Sequence, residues 1–313
     1  MSTQAWTDPR QAQTELQQQG WTWLIHSSRN VPEERAQWAN TFWQPTQRIG
    51  LDRTDLQSPH RFKLHTLKRQ NDSVNWTELA AWLAHEIKPG HSVLIDMCLL
   101  GFDAVLYLLP ALLDLKLKRL GVLYVAPQEY DFPKDPLADL LLQPIEQPKA
   151  YVASLSHDKE NPKTRHLVFL GFDHARAWKF IDARAWKLQN VHVALGDPPF
   201  VQNGAEKARA AAEPWLSGFE TEFPAQLHCI AAHNPTETVR LCQEIFQSSE
   251  WLDIVPIGPK PMNLGVLWFY FSLTENQRAR VRLLYDFPQQ QTPRSTGLGS
   301  ITVYDCKSLL RAL

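Results

Sequence analysis

The feature that most constrains this chain is a recurring order of elements: a short apolar run, a turn, then a stretch with helical spacing. "SVLID", "HLVFL" and "DIVPI" are apolar almost throughout, as strands are when helices cover both faces of their sheet. The pattern predicts strands at Trp21–Ser27, Phe62–Thr66, Ser92–Met97, Gly121–Ala126, His166–Leu170, Val191–Leu195, Leu227–Ala232, Asp253–Ile257, Val281–Tyr285 and Ile301–Asp305. Helices are expected between them, at Glu33–Phe42, Trp76–Ile87, Phe102–Lys118, His174–Trp186, Gly204–Leu216, Pro235–Ser248 and Pro261–Phe271. Such alternation implies an α/β fold with a mostly parallel, doubly wound sheet.

The order breaks between Asp131 and Lys163, where Pro133, Pro136, Pro144, Pro148 and Pro162 crowd a charged stretch. This reads as a linker with one short helix, Pro136–Leu142, and a boundary near Ser156. Residues 1–155 are then an N-terminal α/β region ending in that linker, with an irregular stretch at Gln44–Arg61. Residues 156–313 form a C-terminal Rossmann-like ligand-binding unit that holds the last six predicted strands.

Composition narrows the function classes. With 313 residues, 44% hydrophobic, and 12 tryptophans, the chain supports a sizeable core. A net charge of −1 gives no broad electrostatic footprint for nucleic acid. Met1–Gly20 lacks the basic start and apolar run of a signal peptide. Ala104–Leu117 is interrupted by Pro110 and Asp114, which suits a buried amphipathic helix rather than a membrane span. Cys98, Cys229, Cys242 and Cys306 are far apart, the pattern of buried free thiols in a reducing cytoplasm. The 11 histidines show neither HxxxH nor HExxH spacing, so no metal site is expected.

Two turns occur twice. LGFD stands at Leu100–Asp103 and again at Leu170–Asp173, and YDFP at Tyr130–Pro133 and Tyr285–Pro288. Partial duplication would account for this, and so, as the favoured reading, would reuse of good strand-to-helix turn chemistry: glycine takes the backbone angle and aspartate caps the helix. In open α/β sheets ligands bind beyond the carboxyl ends of strands, where helix N-termini favour anions. "CLLGFDA", "FLGFDHA" and "PIGPKPMNLG" are turns of that kind. In the third, Gly258 permits a tight turn, Lys260 supplies a cation, Pro261 suits the first helical turn, Met262 packs beneath, and Gly265 allows close backbone approach.

That third turn, read as Gly258, Lys260 and Met262 after an apolar strand, resembles the GGTKxM-type signature of CRISPR-associated Rossmann-fold (CARF) sensor domains. Pro259 stands where the family usually has threonine, and Ile257 replaces the first glycine. The resemblance spans Thr164 to about Pro288. It implies a turn that helps bind nucleotides, a second binding loop at Gly171–His174, and a non-catalytic sensing role in prokaryotic antiviral defence. The expected ligand residues are Gly171, Phe172, Asp173, His174, Asp197, Gly258, Lys260, Met262 and Asn263, for a nucleotide or another anionic small molecule. No cofactor and no catalytic residue are expected; a protein partner or a homodimer is.

Two rival readings stand beside it. "GDPPF" at Gly196–Phe200 is similar to the DPPY-type motif of amino-methyltransferases, with Asp96 and Gly101 as the S-adenosylmethionine turn. Alternatively the turns are empty, and a tryptophan-rich surface makes the chain a structural subunit of a defence complex. The glycine-rich "TGLGS" at Thr296–Ser300 reads either as a lid over the sheet edge or as the approach to the final strand.

Overall fold

The computed structural model describes residues 3–29, 33–42, 47–53, 61–66, 72–130, 163–172, 174–285 and 295–307. In chain order the first elements are β1 (Thr3–Trp6), α1 (Pro9–Gln18), β2 (Trp23–His26), α2 (Glu34–Phe42), β3 (Gln47–Arg53), β4 (Arg61–His65) and β5 (Asp72–Asn75). There follow α3 (Trp76–Glu86), β6 (Ser92–Asp96), α4 (Phe102–Leu113), β7 (Arg119–Val125) and β8 (Glu129–Tyr130). The central run is β9 (Thr164–Leu170), α5 (His174–Ala183), β10 (Val191–Gly196), α6 (Gly204–Glu222), β11 (Leu227–Ile230), α7 (Pro235–Gln247) and β12 (Trp251–Val255). The chain closes with α8 (Lys260–Ser272), α9 (Glu275–Arg278), β13 (Val281–Leu283), β14 (Ser295–Thr296) and β15 (Ile301–Asp305).

The protein is α/β, and it divides into two compact units: Met1–Asp131 with Gln291–Leu313, and Phe132–Gln290. The second unit holds a five-stranded sheet in the order β11-β10-β9-β12-β13. Every pairing in it is parallel. Counted within the unit, that order is 3-2-1-4-5. The first unit holds an eight-stranded sheet, β1-β15-β7-β6-β2-β3-β4-β5. Only its centre, from β7 through β6 and β2 to β3, is parallel; the pairings outside it are antiparallel.

Three expectations need correction. The sheet of the first unit is mixed rather than mostly parallel. Its β3 lies inside the stretch expected to be irregular, pairing in parallel with β2. The last strand, β15, does not complete the second unit: it lies antiparallel between β1 and β7 in the first. Its apolar residues explain the choice, because Ile301 and Val303 join Trp6, Leu16, Trp21, Leu94 and Leu123 in one buried cluster. The proposed linker helix and the boundary near Ser156 lie outside the described residues.

Local chemistry accounts for most element boundaries. Asn75 and Glu78 make reciprocal caps at the start of α3, and the Asn234 side chain accepts from the Thr236 N–H beside Pro235 at the start of α7. Strand β6 is buried at every position. Gly121 on β7 answers to packing: a Cβ there would lie 2.8 Å from the Trp21 ring. The TGLGS segment is tied down in the first unit, with the Gly299 N–H donating to the Ala126 carbonyl (2.8 Å) and Gln128 N–H to Thr296 (3.1 Å). Among the described residues no helix is long and apolar enough to cross a membrane.

Candidate functional site

In the second unit the chain leaves β9 for β10 on one side and later returns to β12 on the other. The loops after β9 and β12 therefore leave one sheet edge side by side, where such a reversal opens a crevice. Gly171 and Gly258 meet there backbone to backbone. A Cβ on Gly171 would stand 2.9 Å from the Ile257 carbonyl oxygen and 3.7 Å from the Gly258 Cα. A Cβ on Gly258 would stand 3.0 Å from that of Phe169. Neither glycine has a positive φ. Both are required by close approach, so the expected angle-based role of the LGFD glycine does not hold.

The first LGFD turn differs from the expected cap as well. Gly101 is the N-cap of α4 at φ −70°, an ordinary extended conformation, and no side chain caps that end. Asp103 lies inside the first turn and is buried.

The remaining predicted residues divide into lining and packing. Met262 is fully buried, and its Sδ lies 3.4 Å from where a Gly196 Cβ would be, so it packs the turn against the end of β10. Phe172 is half-buried, with its ring 3.4 Å from the Cβ position of Gly204 at the start of α6. Asp197 binds through its backbone, donating N–H to Ile230 at 2.8 Å, and the Asp197–Pro198 peptide is cis. His174 opens α5 and is half-buried. Asp173 lies outside the described residues. Gly265 does permit a close approach, but of α7: its Cβ position is 2.5 Å from the Pro235 carbonyl oxygen.

Helix α8 begins at Lys260, half-buried, after Pro259, with no side-chain cap. Asn263, on that first turn, is only 8% exposed, and its Oδ1 has no hydrogen-bond partner among the described residues. A buried amide oxygen left unmatched costs about 1–3 kcal/mol. The arrangement thus offers two glycine turns, an uncapped helix start, a lysine and an unsatisfied buried amide: binding chemistry at one sheet edge.

The methyltransferase reading rests on Asp197 and on the Asp96–Gly101 turn. Those residues end strands of different sheets, β10 and β6. Asp96 is buried, and its Oδ1 accepts the Cys98 N–H at 2.9 Å. Phe200 packs edge-on to His233, with ring centroids 6.2 Å apart. Of the cysteines, Cys98, Cys242 and Cys306 are buried as expected, whereas Cys229 is exposed. On the second unit Trp178, 36% exposed, lies 5.8 Å from Trp215 between ring centroids.

Two polar clusters were invisible in the sequence, because each is assembled from distant segments. In the first unit, Glu33 and Arg35 form a buried ion pair at 2.8 Å, and Ser295 Oγ donates to Glu33 at 3.0 Å. Burial opposes the Arg35 charge, but Tyr124, Tyr130, Cys98 and Glu33 outweigh it and hold the guanidinium protonated. In the same unit, Ser27 donates to Asp52 at 2.7 Å, as does Ser28, and Arg29 reaches the Leu99 carbonyl at 2.5 Å.

In the second unit, Asp253 sits between His166 and Arg282 on three adjacent strands. His166 Nδ1 donates to it at 3.0 Å, and Arg282 binds it through two nitrogens at 2.6 and 2.8 Å. Burial pushes the Asp253 carboxyl upward, but these partners prevail and hold it below the usual range. The His166 ring stacks on Trp186, with centroids 4.1 Å apart.

Compared with family models, curated proteins and solved structures, the chain matches none.

Proposed function

We propose that the Phe132–Gln290 unit is a nucleotide-sensing module of the CARF-like kind, acting without catalysis in prokaryotic antiviral defence. In this reading it is a doubly wound, Rossmann-like unit in the cytoplasm, working with a protein partner or a second copy. The carrying observation is the backbone contact between Gly171 and Ile257–Gly258, which sets the starts of α5 and α8 together at the reversal point of a 3-2-1-4-5 sheet. Helix N–H groups and Lys260 suit phosphate oxygens, and the buried Asn263 amide supplies an acceptor for a hydroxyl or amino group. The pairing of α5 with α6, and of α7 with α8, is what two helical layers would give.

The test is calorimetric titration of the full chain with cyclic and linear oligonucleotides. Lys260→Ala is expected to weaken binding about tenfold or more, the worth of one charge-assisted hydrogen bond, while thermal unfolding stays unchanged. Identical binding by variant and parent, or none by the parent, overturns the reading.

A further inference from the structure

Away from the glycine turns, two imidazoles face each other on neighbouring strands of the second sheet. His192 belongs to β10 and His228 to β11, in a register that pairs Ala194 with His228. The two histidines are thus offset by two positions and share one face of the sheet. His192 Nδ1 and His228 Nε2 are 3.0 Å apart, and the rings lie 5.3 Å between centroids at 24°. One nitrogen carries the proton of this contact, and the other turns its lone pair toward it.

This is close to the geometry of two imidazoles on one metal ion. A tetrahedral zinc with nitrogens at about 2.0–2.1 Å holds them about 3.3 Å apart, a few tenths of an ångström from the observed separation. Metal ligation also requires neutral rings.

The surroundings set the charge and access of the pair. Strand β11 lies at the edge of its sheet and is nowhere fully buried, so an ion has access from solvent. Glu244 on α7 is exposed and near enough to act electrostatically on His228. Arg165, whose guanidinium donates to Asn190 Oδ1 at 3.0 Å, acts on His192 in the opposite sense. Among the described residues no three His, Cys, Asp or Glu side chains already stand as a metal-holding group. The site is therefore a two-imidazole one.

We propose that His192 and His228 bind a divalent transition-metal ion such as Zn²⁺, with water completing its shell. On binding, the shared proton moves to the opposite nitrogen of its ring, and both inner nitrogens ligate. The ion would clamp the edge strand β11 to β10. The spacing rules that apply along one helix miss such a pair, because its members are 36 residues apart and meet only across a sheet.

The test titrates the full chain, stripped with chelator, with Zn²⁺. One ion per chain is expected at this pair; His192→Gln and His228→Gln should each weaken it at least ~10-fold, and His233→Gln should not. Equal affinity in His192→Gln and the parent overturns the site. Should the variants fail to fold, Cu²⁺ bound to the unaltered chain decides by electron paramagnetic resonance. Splitting from two nitrogens supports the pair, and splitting from one or none overturns it.

Discussion

Gly171 stands so close to Ile257 that a single added carbon would lie 2.9 Å from its carbonyl oxygen. The obstacle is backbone, which cannot rotate aside as a side chain tip can. Gly171→Ala is therefore expected to destabilise the second unit by about 1–3 kcal/mol, read as a lowered denaturation midpoint. Gly218, inside α6 with nothing within 4 Å of its Cβ position, provides the contrast. Gly218→Ala should stabilise by about 0.5–1 kcal/mol through the loss of unfolded-chain freedom.

Asp253 is a buried charge in the second unit, 1% exposed between His166 and Arg282. Asp253→Ala strands a part-buried guanidinium and a buried imidazole, and should cost about 3 kcal/mol. Replacing Asp253 and Arg282 together by leucine should cost less than the sum of the single changes, because neither partner is then left alone. Chemical denaturation of the four proteins in that cycle measures the coupling.

Acid should weaken the second unit in two stages. His192 stays neutral in the fold down to about 4, whereas the unfolded chain takes up its proton near 6.5. Stability is thus full above pH 6.5 and declines as pH falls from 6.5 toward about 4. Asp253, held below its usual 3.8, adds stability above that pH and loses it as the pH drops through its lowered value. In chelator-containing buffer, His192→Gln should make the first stage shallower, leaving the part due to His228, which burial also lowers, and leave the second.

The final strand belongs to the first unit, so ending the chain at Gln290 should damage that unit selectively. It removes the antiparallel partner of both β1 and β7 and exposes the cluster that Ile301 and Val303 complete. Hydrogen exchange is expected to lose protection in β6 and β7 while β9, β10 and β12 keep theirs. Equal loss in both units would contradict the division.

Much of the secondary structure was legible because its signals are local. An apolar run such as "SVLID" and a capping pair such as Asn75–Glu78 act through neighbours a few residues away, and they mark strand and helix wherever the chain goes. The IGPKPM turn was visible for the same reason, lying within one strand-to-helix connection. Partner choice is different in kind. Nothing in "ITVYD" says whether it extends a parallel sheet or runs antiparallel beside Thr3–Trp6; the available hydrophobic surface decides that. The reason Gly171 is glycine lies in Ile257, not in its own turn. The Glu33–Arg35–Ser295 cluster, the Asp253 network and the His192–His228 pair exist only because distant segments are folded into contact. By itself the sequence determined many of the strands and helices, since local pattern and capping energies do so, but not β1, α1, β3 or β5. The tertiary structure alone decided which of them meet, because close approach and buried charge are properties of pairs.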